Sequence, residues 1–153
     1  MLSDGSCKWK RKFGYGAVFQ NLEGKCRRVD LNRNFDAGWE SYIGASGPST
    51  ECYKGTAPAS ETESKAVLSV AENYDLDCCI AYHSFGNLIY WNYGSQGDVL
   101  NADQELAQCV SDVTGYEMHS TVQDSTDATG CSDYFVLIWI PAVTIENGGS
   151  ECP

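Results

Sequence analysis

The chain has no basic residue after Lys65. All ten Lys and Arg lie between Lys8 and Lys65 beside eight acids, whereas residues 66–153 hold thirteen acids and no base, for a net charge of -11. Phosphate contacts need Lys or Arg clustered on one face, which argues against a nucleic-acid partner for more than half of the chain. The cluster Lys8, Lys10, Arg11 and Lys12 could bind an anion locally. Long apolar runs are lacking as well. The longest, around Tyr134 to Val143, is interrupted by Pro141 and falls short of the ~18–20 residues that cross a bilayer, so no membrane span is expected. There is no CxxC pair to suggest a cysteine-held metal, and the adjacent Cys78 and Cys79 would point to opposite faces of a strand. Histidine is scarce, with His83 and His119 the two in the chain. The start, MLSDGSCKWKRK, has no apolar core of a secretory signal.

Cysteine, by contrast, is abundant. Eight in 153 residues is high for a reducing cytosol and ordinary for an oxidising compartment, so a secreted, extracellular protein is expected, one whose true N-terminus is missing here. Hydrophobic residues at 42% and charged residues at 20% fit a packed globular chain, and the length fits one continuous domain over residues 1–153. The S-x-x-E form of Ser60 to Glu63, followed by Ala66, Val67, Val70 and Ala71, predicts a capped helix over 60–73. Leu76 to His83 reads as a buried strand. Asn101 is placed to cap a second helix, with Leu106, Val110 and Val113 on one face and an end at Gly115. Ala142 to Ile145 reads as a further strand with Glu146 at its C-terminal end. Helix, strand, helix, strand is an α/β layer pattern, and in such sheets ligands collect beyond the carboxyl ends of the strands. His83 and Glu146 both fall there.

The most informative string is VDLNRNFDAGW, Val29 to Trp39. It resembles the zinc metallocarboxypeptidases of the pancreatic carboxypeptidase A and B type. Further stretches agree in order: CKWKRK at Cys7 to Lys12, CYKG at Cys52 to Gly55, AYHSFGNLIYW at Ala81 to Trp91, GCSDYF at Gly130 to Phe135, and VTIE ending at Glu146. The resemblance implies an α/β fold, a mixed β-sheet with helices on both faces, and the release of C-terminal amino acids from peptides by zinc-activated water. It implies that Asn32 and Arg33 grip the terminal carboxylate, for which the planar guanidinium fork is suited. It makes His83 a zinc ligand and Glu146 the catalytic proton shuttle, roles that fit an imidazole at a strand end and a carboxylate beside a metal-bound water. Lys10, with Arg11 beside it, matches a cation that steadies the oxyanion. Ser84 and Phe85 match the substrate groove, and Cys26 and Cys52 match a disulfide pair.

The chain also departs from that family. The His-x-x-Glu pair that completes the zinc site has no counterpart here, and the family's last helix has none either, so the chain reads as a partial peptidase catalytic domain whose remaining zinc ligands are expected upstream. As an isolated polypeptide it is expected to be inactive. The family's mobile tyrosine falls on Ser125 or Thr126. The specificity position falls on Ser132, implying apolar or aromatic C-terminal residues, or on Asp133, implying Lys or Arg. His119 reads as a surface histidine, and Tyr90, Trp91 and Tyr93 as core or groove packing. A monomer acting on peptides or proteins with free C-termini is expected. The competing reading is a non-catalytic binder of peptide C-termini that keeps the carboxylate grip.

Overall fold

Among the described residues, buried apolar side chains come from one mixed sheet, the helices against it, and the loop residues Val29, Phe35, Ala37, Trp39, Tyr42 and Tyr93. The computed structural model describes residues 18–20, 26–44, 47, 48, 50, 52–121 and 130–149. Strands β1 (Val18–Gln20) and β2 (Cys26–Arg28) pair antiparallel, and a 3-10 turn, Leu31–Arg33, follows. Helix α1 (Thr62–Asn73) leads to β3 (Cys79–His83) and β4 (Leu88–Trp91). Helix α2 (Gly97–Thr114), β5 (Glu117–Ser120), α3 (Cys131–Leu137) and β6 (Ala142–Glu146) complete the order.

The four-stranded sheet runs β3-β6-β4-β5. β6 lies parallel to β3 and antiparallel to β4, while β4 and β5 are parallel. Side chains alternate across a strand, and β6 shows both faces covered. Val143 and Ile145 meet Ile89 of β4 and Ala107 of α2 on one face. On the other face Ala142 packs with Phe135 and Val136 of α3, Tyr93 and Ala37, and Thr144 meets Ser132 of α3. Covering both faces lets Ala142, Val143, Thr144 and Ile145 all be buried, which is why this strand reads as a continuous run rather than an alternation. The mixed sheet with helices on both faces expected from the resemblance is the one observed.

The local expectations hold with corrections. α1 begins at Thr62 with Glu61 as its cap residue, and the Ser60 capping box does not form, because the Ser60 hydroxyl donates to Glu61 and accepts from Asn34. Val67 and Val70 are exposed, and the inward face carries Ser64 and Ala71 instead. α2 starts four residues before Asn101, at Gly97, and ends as expected at Gly115, whose φ of +71° suits a residue without Cβ. Its buried stripe is Asp103, Ala107 and Val110; at about 100° per residue Val113 falls on the flank of that stripe, and it is exposed. Leu106 and Val110 pack against the core as expected, and Asp103 and Ala107 are the fully buried positions of that face. Among the described residues β3 lies at the edge of the sheet, and its Ile80 and Tyr82 are exposed.

The NRNF loop is fastened by Asn34, which has no exposed surface. Its Nδ2 donates to the Lys54 carbonyl (2.8 Å), the Ala57 carbonyl (3.1 Å) and the Ser60 hydroxyl (3.0 Å), and its Oδ1 accepts from the Glu61 backbone (3.1 Å). Beside it Trp39 donates to the same Lys54 carbonyl, and the Lys54 ammonium sits 4.1 Å from the Trp39 ring centroid. One side chain thus joins the segment bearing Asn32 and Arg33 to the start of α1. Asn34→Ala leaves buried donors and acceptors unpaired, and urea denaturation of the intact protein is expected to show a loss of roughly 2–3 kcal/mol. A loss under about 0.5 kcal/mol, the level of an ordinary surface change, would contradict this account.

Candidate active site

The parallel register of β3 and β6 sets the centre of the site. Cys79 pairs with Ala142, Ala81 with Thr144 and His83 with Glu146, so the imidazole and the carboxylate end adjacent strands side by side on one face. The Asn147 backbone N–H donates to the His83 carbonyl (2.9 Å) and continues the ladder one step past both side chains. They open into a cleft of about 730 Å³ that Asn32, Arg33, Ser132 and Thr144 also line.

Arg33 enters from the 3-10 turn. Asp30, buried at the cap position, accepts from the Asn32 backbone (3.0 Å) and starts that turn. The Arg33 guanidinium donates through Nε to the Tyr42 hydroxyl (3.3 Å) and through Nη1 to the Asn32 carbonyl (3.0 Å). Those bonds fix its plane. Burial lowers its pKa, but the hydrogen bond to Tyr42 and the Asp30 charge outweigh this, so it stays a firm cation. Asn32 is turned by α3: the Cys131 backbone N–H donates to its Oδ1 (3.1 Å). The amide hydrogens on Nδ2 then remain as its donors.

Electrostatics in the cleft follow from burial. The His83 pKa is lowered first by desolvation and then by the Arg33 charge, which favours the neutral imidazole, the form that can ligate a metal. Desolvation alone pushes the Glu146 carboxyl upward, so it binds a proton more readily than a solvated glutamate. Fixed cation, neutral imidazole and proton-hungry carboxylate share one hollow.

Ser132 and Asp133 take different jobs. The Ser132 hydroxyl meets the Thr144 hydroxyl at 2.6 Å in the cleft. The Asp133 carboxylate accepts from the Gly130 backbone (3.0 Å), capping α3. A Cβ at Gly130 would lie 2.8 Å from the Asp133 Oδ2 and 3.1 Å from the Asn32 Oδ1, so the close approach of these two side chains calls for glycine. Both residues 132 and 133 line the cleft.

The remaining candidates are distributed differently. Ser84 and Phe85, joined to each other by a cis peptide, follow His83 and are exposed, and neither lines this cleft. Lys10, Arg11, Ser125 and Thr126 lie outside the described residues. Cys52 carries a free thiol, at odds with a bridge to Cys26, because its sulfur is turned toward the Tyr42 hydroxyl; the side chain of Cys26 lies outside the described residues. His119 stacks edge-on with Tyr90 and lies 3.8 Å from Glu117. Tyr90, Trp91 and Tyr93 all line the cleft, and Tyr93 is also part of the core. Two residues of the site gave no signal in the sequence. Tyr42 orients Arg33, and Asp103 of α2 bonds the backbone of Ala142, which lines the cleft.

With this geometry in place, the relatives are informative. The family model described as zinc carboxypeptidase matches residues 8–143. The chain belongs to this family. Human mast cell carboxypeptidase A is 33% identical over 58% of the chain and 22% of its own length, and bovine carboxypeptidase O is 40% identical over 56% and 23%. A gamma-D-glutamyl-L-diamino acid endopeptidase of Lysinibacillus sphaericus is 28% identical over 88% of the chain and 34% of its own length. The chain therefore spans about a fifth to a third of these relatives. Among solved structures, thrombin activatable fibrinolysis inhibitor covers 82% of the chain and 35% of its own, with a TM-score of 0.66 and 25% identity. Carboxypeptidase A of Helicoverpa armigera, at 22% identity, shares the fold with a TM-score of 0.65, covering 89% of the chain and 37% of its own. Zinc is implied by the family, yet the described residues hold no group of three His, Cys, Asp or Glu that could hold a metal ion. Tetrahedral zinc takes at least three protein donors, so His83 with the neighbours present here does not fit a zinc site by itself.

Asp103 has no exposed surface, and its carboxylate meets the Ser95 hydroxyl (2.5 Å) and the Ala142 backbone N–H (2.8 Å). Ser95 also contacts the Asn92 Oδ1 (2.9 Å), and Asn92 donates to Ser120 (3.1 Å). The Ser95 hydroxyl has one hydrogen to give, so Asp103 and Asn92 compete for it as acceptors. Burial raises the Asp103 pKa against the lowering effect of its two hydrogen bonds. The folded state therefore binds a proton at Asp103 more readily than the unfolded chain, whose value is near pH 4, and the stability linked to that proton falls as pH rises from about 4 through the folded value. Asp103→Asn imitates the protonated form and does not titrate. The stability difference between native protein and this variant is expected to move in the variant's favour as pH rises from about 3.5 to 7, measured by urea titration at each pH. A difference independent of pH would contradict the assignment.

Proposed function

We propose that this chain supplies the carboxylate grip, the proton shuttle and one metal-ligating imidazole of a secreted zinc metallocarboxypeptidase that releases C-terminal amino acids from peptides. The observation that carries this reading is the meeting of Arg33, His83 and Glu146 in one cleft. A peptide ending in a free carboxylate meets the Arg33 fork and the Asn32 amide, which hold the terminal residue in place. Glu146 then takes a proton from the attacking water and returns it to the departing amine, a task suited to a carboxyl whose affinity for protons is raised by burial. Zinc, when held with donors beyond those present here, would supply Lewis acidity to that water. Lys10 or Arg11 is the proposed cation for the oxyanion, and Ser84 and Phe85 the proposed outer groove.

The side-chain preference follows from the floor of the cleft. Ser132 and Thr144 satisfy each other, and Asp133 is engaged at the α3 cap. Ser132 and Thr144 present an uncharged hydroxyl pair to the cleft, which supports an uncharged apolar or aromatic C-terminal residue as the proposed preference.

The test uses the intact protein and a peptide offered with a free or an amidated C-terminus. Only the free acid is expected to be cleaved. Arg33→Lys keeps the charge but loses the fork, and it is expected to raise KM about 10-fold or more with a smaller effect on kcat. Glu146→Gln is expected to abolish turnover while the peptide still binds, and the acidic limb of the native kcat/KM profile should lie above the ordinary glutamate range. A folded, zinc-loaded protein that binds the free acid without cleaving it would instead mark a non-catalytic binder of C-termini.

A further inference from the structure

β3 carries a second reactive residue on the same face as His83, at its opposite end. Cys79 pairs in register with Ala142, and the Cys79 backbone N–H donates to the Pro141 carbonyl (2.8 Å). Cys131 is the first residue of α3, the helix packed on this face. Both side chains are half-buried and pack against the same core of Tyr93, Phe135, Val136 and Ala142. Their thiols are in hydrogen-bond contact with each other, and both are free.

The other described cysteines are placed elsewhere. Cys78 is exposed and, as the neighbour of Cys79 in the chain, points away from the α3 face. Cys109 is exposed on α2, across the sheet, and Cys52 sits with Tyr42 and Arg33. Two thiols that touch each other and pack against the same residues are the pair placed to form a bond of roughly 2.0 Å.

We propose that Cys79 and Cys131 form a reversible disulfide that staples the first turn of α3 to the sheet. In the reaction one thiolate attacks a disulfide oxidant of the oxidised-glutathione class, forming a mixed disulfide and releasing one thiolate of the oxidant. The second cysteine sulfur then attacks the mixed disulfide and expels the other. Two protons and two electrons leave the cysteine pair, and the oxidant is reduced to two thiols. Cys79 is the first attacker, because the Cys131 thiol donates to its sulfur and favours the thiolate there, while Cys131 is held as the thiol.

The staple acts on the cleft through short links. The Cys131 backbone N–H holds the Asn32 amide, and the next two residues, Ser132 and Asp133, line the cleft. A fixed first turn therefore fixes part of the carboxylate grip and the cleft floor together. The disulfide follows from the thiol contact and does not depend on peptidase activity.

Peptide mapping of the intact protein tests it directly. No Lys or Arg lies between residues 66 and 153, so trypsin leaves both cysteines in one peptide, and a glutamate- or aspartate-specific protease is needed. After equilibration with oxidised glutathione and alkylation in denaturant, the Cys79 and Cys131 peptides are expected as one cross-linked species, lighter by two hydrogens and split by dithiothreitol. In Cys78→Ser the same species should persist. In Cys131→Ser, Cys79 should become open to alkylation, and in the native protein the midpoint of thermal unfolding should fall on reduction. Full alkylation of both cysteines after the glutathione step, or a cross-link from Cys131 to any cysteine but Cys79, would overturn the proposal. Fragment-ion spectra of the cross-linked peptide from the native chain, which tell adjacent Cys78 from Cys79, separate these outcomes even if a variant fails to fold.

Discussion

Parallel pairing of β3 with β6 is the constraint on which the rest of the site depends. In a parallel ladder both strands end at the same side of the sheet, and register partners project from the same face. His83 and Glu146 are such partners, so an imidazole and a carboxylate more than sixty positions apart in the chain become immediate neighbours. A slip of one residue in this pairing would turn Glu146 toward α2 and bring Ile145 into the cleft. The register is held by burial on both faces: Val143 and Ile145 against α2, Ala142 and Thr144 against α3. The placement of Glu146 rests on ordinary core packing one and three residues before it.

Polar groups inside the molecule are arranged as fasteners between segments distant in sequence. Asn34 joins the Arg33 segment to the start of α1, the Cys131 backbone joins Asn32 to α3, and Asp103 joins α2 to the first residue of β6. Asn34 and Asp103 are fully buried, where an unpaired group would cost about 1–3 kcal/mol, so their bonds are specified as strictly as an apolar contact; the Asn32 bond is half-buried. The same burial tunes the chemistry. It raises the proton affinity of Glu146 and lowers that of His83, so one physical cause drives the two groups toward the protonation states an acid-base site uses. Arg33 resists that effect because Tyr42 and Asp30 compensate it.

Helix α3 shows how few residues can serve both stability and recognition. Gly130 lets Asn32 and Asp133 approach, Cys131 faces Cys79 and orients Asn32, Ser132 faces Thr144, and Asp133 caps the helix. The string GCSD was legible as a family motif, but its division of labour was not. Sequence left residues 132 and 133 as alternatives for the specificity position. The two differ by only about 100° around the helix, and the cap bond to Gly130 fixes which carboxylate oxygen is already engaged.

Several features were fixed by the chain's composition and order of residues alone. An acidic second half without a single base argued against nucleic acid; the NRNF string and the dispersed HSF, GCSD and VTIE motifs carried the family; and strands ending at His83 and Glu146 were readable from short apolar runs. These are local properties, set by residue type and spacing. What only the tertiary structure decided is every relation across segments: the Ser60 hydroxyl taken by Asn34 instead of a helix cap, Asp103 rather than Val113 on the buried stripe of α2, Tyr42 holding Arg33, and Cys131 set against Cys79. Hydrogen bonds and thiol contacts between distant residues depend on which backbone segments the packed core brings together. No window of sequence contains both partners.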